Sequence, residues 1–231
     1  MKKSTTAVVN LIIVITLFSL TVLAIGTNNV TVASAKTAKP IYKSDSQTAV
    51  CFTFNVYQGE EYVSEIMRIF EENGYKTTFF VGGSWAKKNT ELVKEMHEKG
   101  FEIGSHGYFH RDHSAMNYTE NLNEINMSVE LIESIIGQKP TLFAPPSGAY
   151  NDDTIKAATN LNLKVVMWSK DTIDWRDHNV ELIKKRATKN LTTGDIILMH
   201  PTAETVAALK DILKCCKELG LTPTTVSEAL N

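Results

Sequence analysis

Three of the chain's six histidines fall within a stretch of eight residues, and their spacing indicates a metal site. His106 and His110 are four residues apart, a spacing that lets two imidazoles converge on one ion where the backbone turns helically. The stretch directly follows a predicted strand, and the sites of α/β proteins gather at the carboxyl ends of strands. A solvated loop that is rich in histidine by chance is the alternative, and the residues alone leave both interpretations open.

Four other segments carry polar or aromatic side chains next to predicted strands and helices. Some of these side chains also have a purely structural interpretation. Asp174 and Trp175 can be a packing pair beneath a sheet, and His200 can be a hydrogen-bonded histidine of the core. In chain order the segments are Thr53–Val56, Phe143–Gly148, Asp171–Trp175 and Ile197–His200.

The elements that must position these residues follow an α/β pattern. From Thr48 onward, short runs rich in β-branched and aromatic residues alternate with longer amphipathic stretches, which predicts repeated β-α units and a parallel sheet. Periodicity does not decide between an open sheet and a closed barrel, and we expect a small, distorted (β/α) barrel. The predicted strands are Ala49 to Val56, Thr77 to Val81, Phe101 to Gly104, Leu142 to Phe143, Lys164 to Trp168 and Asp195 to Met199.

Helix boundaries are indicated by capping residues and glycines. A helix over residues 60–72 is expected to end at Asn73-Gly74, because this pair is a strong stop signal. The stretch 108–119 is polar without a helical period and predicts a long loop, which in a compact domain is often functional. Further helices are predicted over residues 90–99, from an Asn151 cap through Ala158, and from Thr202 or Ala203 through Leu219.

The N-terminal residues resemble an export signal. Lys2 and Lys3 precede an uncharged apolar stretch over residues 7–26, and Ala33-Ser34-Ala35 forms an A-x-A cleavage site. We expect residues 1–35 to be a signal peptide, residues 36–47 a linker and residues 48–231 a single domain. The apolar stretch is also long enough to span a bilayer, so an uncleaved anchor through residues 7–26 stays open. Either route exports the domain, to be secreted or held on the outer face of the membrane.

Composition and charge limit the function classes. The chain is 43% hydrophobic and 22% charged, as ordinary globular proteins are. Without residues 1–35 it has 22 basic and 26 acidic residues, a net charge of −4, so a nucleic-acid partner is not expected. The cysteines are odd in number, and adjacent Cys215 and Cys216 diverge on a helix, so no disulfide framework is expected.

The order of the five segments resembles that of the polysaccharide deacetylases, the NodB-homology family also called carbohydrate esterase family four. Its patterns are T-F-D-D, H-[ST]-x-x-H, R-x-P-[YSG], D-x-x-D-W and L-x-H, and the resemblance covers residues 48–230. Residues 54–62 are most similar to the sporulation-associated Gram-positive branch, where F-D-[VI]-x-W-G-x-E replaces F-D-D-G. The resemblance implies a distorted (β/α) barrel and a metal-dependent hydrolase that removes acetyl groups from amino sugars of peptidoglycan or a chitin-like glycan.

The resemblance also implies a role for each residue at a matching position. His106 and His110 match metal ligands. His200 matches the general acid, and Asp174 or Asp171 matches the carboxylate that orients it. The groove wall is matched by Trp175, Leu198 and Pro146, and the oxyanion donor by the backbone N–H of Ser147.

Three positions depart from the family pattern. Asn55 stands where the catalytic base belongs, and an amide does not accept the proton at neutral pH. Val56 replaces a metal-binding carboxylate, and Ala144 replaces the Arg that would hold the base. Losing the base and the Arg together is coherent, because an unpaired buried Arg is costly. The nearest carboxylates in sequence that can substitute are Glu60, Glu61 and Asp112.

The sequence therefore predicts a deacetylase-like hydrolase of reduced activity acting on a cell-envelope glycan, with spore peptidoglycan as a setting. We expect zinc or a similar divalent ion to be held weakly, because two imidazoles are fewer ligands than the usual three. The alternative function is a pseudoenzyme that keeps the groove and binds glycan without turnover.

Overall fold

The computed structural model describes residues 39–231 of the chain. The predicted signal peptide or membrane anchor and the first residues of the predicted linker lie outside this range. Inside it, the helices are all too short or too polar to cross a bilayer.

Eight parallel strands form one sheet that curls into a half-barrel. The strand order is β5-β4-β3-β2-β1-β7-β6, and β8 pairs with the beginning of β1. This architecture confirms the predicted α/β class and distorted (β/α) barrel. The strands are β1 (Ala49–Val56), β2 (Thr78–Val81), β3 (Glu102–Ser105), β4 (Leu142–Phe143), β5 (Lys164–Val165), β6 (Lys170–Asp171), β7 (Ile196–Met199) and β8 (Thr222–Thr224).

Helices follow most strands, and their caps lie where the sequence predicts them. The Asn151 side chain accepts from Thr154 N at 2.8 Å, and Thr202 Oγ1 accepts from Thr205 N at 3.1 Å. The helices are α1 (Glu60–Glu72), α2 (Gly83–Lys88), α3 (Thr90–Glu98), α4 (Tyr118–Ile136), α5 (Asp152–Asn160), α6 (Asp174–Asp177), α7 (Val180–Thr188), α8 (Ala203–Glu218) and α9 (Val226–Ala229), with 3₁₀ turns at His113–Ala115 and Pro146–Gly148.

Several element boundaries differ from the prediction. The strand predicted over residues 164–168 ends at Val165, and the residues after it form an isolated bridge with the N-terminal segment, where Met167 N donates to Ile41 O at 2.8 Å. Strands β6 and β8 are only two and three residues long and lack an apolar run that would reveal them. The predicted loop over residues 108–119 contains a 3₁₀ turn and the start of α4.

Residues 41–44, inside the predicted linker, are fastened to the sheet. Ile41 N donates to Val165 O at 2.9 Å, and Ser44 N donates to Gly194 O at the same distance. Lys43 forms an antiparallel bridge with Asp195 and an ion pair with its carboxylate at 3.0 Å. The segment therefore connects β5 with the beginning of β7.

Side chains of the strands alternate between two apolar layers. Phe52, Phe54 and Val56 of β1 pack outward against helices in the outer cluster, which includes residues of α1 and α8. Cys51 points into the half-barrel and belongs to the inner cluster. Because successive side chains lie on opposite faces of a strand, this alternation decides which residues at the strand ends face the interior. The inner cluster consists of Ala49, Cys51, Phe80, Leu142, Ala144, Val166, Ile196, Val226 and Ala229.

Candidate functional site

Four predicted site residues lie on the inner face at the carboxyl edge of the sheet. Asn55 lies between two outward residues of β1, so its side chain points inward. His106 follows Ser105, whose hydroxyl bonds helix α4 on the outer side. Ala144 belongs to the inner cluster itself, and His200 follows the outward Met199. The sheet therefore brings together Asn55, His106, Ala144 and His200.

The two candidate metal ligands are neutral imidazoles lying side by side. His106 Nδ1 is 2.7 Å from Ala144 O, and because a carbonyl only accepts, Nδ1 carries the proton and Nε2 keeps its lone pair. The ring centroids of His106 and His110 are 5.2 Å apart. Burial and the neighbouring His110 lower the pKa of His106 to about 3, and burial also lowers the pKa of His110.

The histidine stretch is an ordered turn, although it is not the helical turn that the spacing requires. His110 has a left-handed backbone with φ of 56°, which returns its ring toward His106 and onto Tyr57, 4.9 Å away. The carboxylate of Glu124, on α4, accepts hydrogen bonds from the backbone N–H groups of Tyr108 and Phe109. The stretch is therefore ordered by hydrogen bonds at its beginning, while residues 109–112, His110 included, are exposed to solvent.

His113, the third histidine, is fully buried behind the turn. Its Nδ1 lies 2.6 Å from Asn121 Oδ1, and its Nε2 is buried without a partner in the described part of the chain. An added Cβ at Gly107, whose φ is 69°, would lie 3.1 Å from that Nε2. The turn thus requires glycine at position 107. The sequence did not assign a function to Glu124 or His113, since no local pattern marks their packing.

The third metal-ligand position is apolar. Val56 is completely buried, and its side chain belongs to the outer cluster. Between residues 39 and 231 there is no group of three or more His, Cys, Asp and Glu side chains arranged to hold an ion. Two imidazoles alone do not fit the three-ligand site of a catalytic metal.

The substitute carboxylates suggested by the sequence have other surroundings. Glu60 Oε2 is 3.5 Å from Trp85 Nε1, and Glu61 is exposed in the first turn of α1. Asp112 caps its own 3₁₀ turn, accepting from Ser114 N at 2.9 Å. None of the three therefore forms a three-ligand group with the histidines.

The partly exposed His200 and the buried Asp174 form a hydrogen-bonded pair at the positions that the family pattern assigns to the acid and its orienting carboxylate. Asp174 has no exposed surface, and its Oδ1 lies 2.8 Å from His200 Nδ1. The carboxylate also accepts from His200 N at 2.6 Å, Thr205 Oγ1 at 2.6 Å and Trp175 N at 2.9 Å. Burial raises the pKa of Asp174, but the bonds from His200 and Thr205 outweigh it and lower that pKa overall. The dyad orients His200 with Nε2 free to exchange a proton.

The structure separates the two candidate orienting carboxylates. Asp171 accepts from Ile173 N at 2.9 Å and thereby shapes the turn that leads to Asp174. Ile173 itself has a left-handed φ of 52°, a strained conformation for a β-branched residue. Trp175 is 52% exposed, so Asp174 and Trp175 are not a packing pair beneath the sheet.

The remaining predicted residues surround this region. Ser147 has a left-handed φ of 54° in a 3₁₀ turn that begins with the buried Pro146. The two hydrogen bonds of that turn use the N–H groups of Gly148 and Ala149, which leaves the N–H of Ser147 outside them. Leu198 is buried beside Thr53 in the β1–β7 register.

The side chain of Asn55, at the predicted base position, makes no hydrogen bond to another group among residues 39–231. The residue is 5% exposed, and its Oδ1 is buried without a partner in the described residues. Ala144 offers only a methyl group where the family carries an Arg. The site thus combines the hydrogen-bonded Asp174–His200 pair with an amide, a valine and an alanine at the positions that the sequence pattern assigns to base, metal ligand and Arg.

Comparison with known proteins identifies relatives of this chain. A family model described as polysaccharide deacetylase matches residues 42–166. The uncharacterized protein YlxY of Bacillus subtilis is 35% identical over 194 residues, covering 84% of this chain and 61% of YlxY, so the chain spans less than two thirds of that relative. A peptidoglycan-N-acetylglucosamine deacetylase of Bacillus cereus is 32% identical over 192 residues, covering 80% of this chain and 90% of that protein.

Solved structures that resemble this chain are likewise named as CE4 family proteins or peptidoglycan deacetylases. A CE4 family pseudoenzyme from Bacillus anthracis superposes with a TM-score of 0.81 at 32% identity, covering 84% of this chain and 69% of that one. A mutant of a CE4 family pseudoenzyme with restored enzymatic activity gives 0.80 at 31% identity, covering 84% and 71%. The peptidoglycan deacetylase PdaC from Bacillus subtilis gives 0.73 at 29% identity, covering 79% and 90%.

Proposed function

The chain belongs to the polysaccharide deacetylase family, and we propose that its groove binds N-acetylated peptidoglycan and deacetylates it far more slowly than intact relatives do. One observation carries this proposal. The acid dyad of Asp174 and His200 is complete, whereas Asn55, Val56 and Ala144 occupy the positions of base, metal ligand and Arg. Members of the family are hydrolases of amide bonds, and they depend on a divalent metal.

The residues present support only part of the family's reaction. His200 can deliver a proton from Nε2 to a departing amine while Asp174 holds Nδ1–H, and the N–H of Ser147 is suited to stabilise a developing oxyanion. No residue in the described part of the site is suited to remove a proton from the attacking water. General acid–base catalysis contributes about 10² to 10⁴-fold, so the missing base alone predicts a large loss of turnover.

Weak metal binding is part of the proposal. Zinc or a similar ion would be held by His106 and His110 and would supply charge that polarises the acetyl carbonyl. With only two neutral ligands the affinity is expected to be low, and no step of the chemistry is assigned to the ion.

Non-catalytic glycan binding is the second candidate function. Its support is the similarity to the Bacillus anthracis pseudoenzyme, together with the existence of a mutant pseudoenzyme with restored enzymatic activity. The two candidates share a glycan ligand and differ in turnover, which an assay separates.

The deciding experiment incubates the purified protein with N-acetylated peptidoglycan and with chitin oligomers, and measures binding and released acetate together. We expect binding with acetate release far below that of an intact deacetylase measured in parallel. Binding without any release assigns the pseudoenzyme function. Release at the rate of the intact enzyme, or absence of binding to either glycan, contradicts the proposal.

Export to the cell envelope, with spore peptidoglycan as a setting, is also proposed. It is supported by the pattern of residues 1–35 and by relatives named for peptidoglycan deacetylation. We expect the mature N-terminus to be Lys36 if the segment is cleaved, and residues 36–231 to be soluble when produced alone. A cytoplasmic location of the full chain, established by protease protection in spheroplasts, contradicts export.

A further inference from the structure

We propose that a cavity at the amino edge of the sheet binds a small zwitterion, an amino acid or a dipeptide. The ligand's ammonium group lies between the carboxylates of Glu102 and Glu228, and its own carboxylate faces Lys139. The glycan groove lies at the opposite edge of the sheet, so this site adds a second ligand and does not depend on the proposed function.

The cavity lies where β3 and β4 begin, whereas the groove lies where the strands end. Its volume is about 310 Å³, at the lower end of the range of roughly 300 to 1,000 Å³ that small-molecule sites occupy. A ligand of amino-acid or dipeptide size therefore fits the space. The wall includes Glu102 of β3, Ile136 at the end of α4, Lys139 and Thr141 in the loop before β4, and Thr225 and Glu228 at α9.

The carboxylate of Glu102 is held in place through one of its two oxygens. Glu102 Oε2 accepts from Thr78 Oγ1 at 2.6 Å and from Ser227 N at 3.3 Å. Thr78 Oγ1 in turn accepts from Val226 N at 2.9 Å, so β2 and α9 both fix this carboxylate. Within residues 39–231, Glu102 Oε1 makes no hydrogen bond and the carboxylate forms no ion pair. One oxygen is therefore oriented and available to a ligand that donates.

The carboxylate of Glu228 is held in the same way. Its Oε2 accepts from the Thr224 hydroxyl and from Thr225 N, the latter at 3.3 Å, whereas its Oε1 makes no bond within the described residues. The bond from Thr224 lowers the pKa of Glu228, so this group is ionised at neutral pH. Burial, Glu102 and Glu228 together raise the pKa of the Cys51 thiol to about 12, which places both carboxylates near this cysteine.

The carboxyl end of α4 adds negative charge to the same wall. This helix is 19 residues long and ends at Ile136, which lines the cavity. Gly137 N donates to Glu133 O, and the carbonyl groups of residues 134–136 accept no hydrogen bond from the part of the chain that the structure describes. The end of a helix with unbonded carbonyls carries a partial negative charge that favours a cation. Two carboxylates and a helix end thus indicate an ammonium group.

Lys139 provides a positive charge at the rim of this cavity. Its side chain is exposed, and it forms no ion pair with an acidic group of residues 39–231. A simple anion would meet the two carboxylates, and a simple cation would leave Lys139 without a counter-charge. A zwitterion complements both charges of the wall, as recognition by charge requires.

Capping each end of the ligand tests the assignment on the unmodified protein. Calorimetry of the full chain compares alanyl-alanine with its N-acetylated form, with its C-terminal amide and with free alanine. Acetylation should weaken binding about 10- to 100-fold, because it removes the charge-assisted hydrogen bonds to the carboxylates. The amide should bind only a few-fold more weakly, about the effect of one exposed ion pair. The ratio for alanine and alanyl-alanine shows which of the two sizes the cavity takes.

Matched variants assign each end of the ligand to its residue. Glu102→Gln keeps an oxygen that accepts from Thr78 and Ser227 but loses the charge, so it should weaken alanyl-alanine and not the acetylated form. Lys139→Met should weaken alanyl-alanine and not its amide. The control is Glu133→Gln, in the last turn of α4 and outside the cavity wall, which should change neither affinity. Thermal unfolding of each variant shows whether the fold is intact.

Two results contradict the inference. One is the absence of binding for both alanine and alanyl-alanine at concentrations up to about 10 mM. The other is equal affinity for the free and the acetylated dipeptide. Both comparisons use the unmodified protein, so a variant that fails to fold does not leave the question open. Neither result bears on glycan binding, which is measured separately at the groove.

Discussion

The two sides of the groove differ in how completely their polar groups are bonded. On the side of β7, Asp174 accepts four hydrogen bonds and fixes His200. At the ends of β1 and β4, the Asn55 side chain has no hydrogen-bond partner among residues 39–231, and Val56 and Ala144 supply only apolar groups. The difference teaches that the proposed acid pair, Asp174 and His200, is tied into the folded structure by hydrogen bonds, whereas the side chains at the proposed base, metal and Arg positions are not.

Removing the carboxylate of Asp174 should cause the largest loss of stability. Asp174→Ala leaves the N–H groups of His200 and Trp175 and the hydroxyl of Thr205 without their acceptor in a buried place. We expect a loss of about 3 kcal/mol or more in the free energy of unfolding. The matched control is Asp171→Ala, because Asp171 is partly exposed and accepts one local bond. Equal losses in urea titrations of both variants contradict a structural role for the dyad.

Acid should destabilise the protein through the buried His106, which follows β3. Its folded pKa of about 3 lies below the usual 6.5, so between these values the unfolded chain binds a proton that the folded chain does not. The stabilisation is full above pH 6.5 and is lost as the pH falls, by about 1.4 kcal/mol per unit for one proton. His110 and His113 shift in the same direction.

This dependence can be measured by urea unfolding of the metal-free protein from pH 7 to pH 4. His106→Gln should flatten the curve, whereas His97→Gln, on α3, should leave its slope unchanged. A parent whose stability does not change over this range contradicts the buried, neutral state of His106.

The smallest effect concerns the metal. Two imidazoles should bind zinc only weakly, and the variant with both His106→Ala and His110→Ala should lose that binding. Calorimetric titration with zinc measures both, and His97→Ala serves as the control for adventitious histidine binding. A double variant that holds zinc as well as the parent shows that the ligand assignment is wrong.

Most of the fold was predictable because its signals are local. The apolar run of β1 and the caps Asn151 and Thr202 mark their elements in the sequence itself. Strands β6 and β8 were missed because they are short and contain little apolar sequence. The pairing of Ile41 with the end of β5 was not predictable, because the two segments are more than a hundred residues apart in the chain.

The sequence predicted which motif residues belong to the site, but it did not predict the contacts between them. Motif order identified His106, His110 and His200, but not which carboxylate orients His200, since Asp171 and Asp174 occupy similar positions in the sequence. The left-handed Ile173 turn decides that question in favour of Asp174. Glu124 and Thr205 were missed because they act through long-range hydrogen bonds that no short pattern encodes.

The most direct test of the account restores the missing half of the site. Deacetylation of N-acetylated peptidoglycan by the parent is compared with that by Asn55→Asp with Val56→Asp, and by the same pair with Ala144→Arg. Zinc affinity and urea unfolding are measured for each, since Val56 is buried in the outer cluster and a carboxylate there risks destabilising the fold. The account predicts tighter metal binding and higher turnover in the pair, and a further, non-additive rise with the Arg, which would hold the new carboxylate. Turnover by the unmodified protein at the rate of intact deacetylases contradicts it, and loss of that turnover in Glu60→Gln or Glu61→Gln would then identify the substitute base.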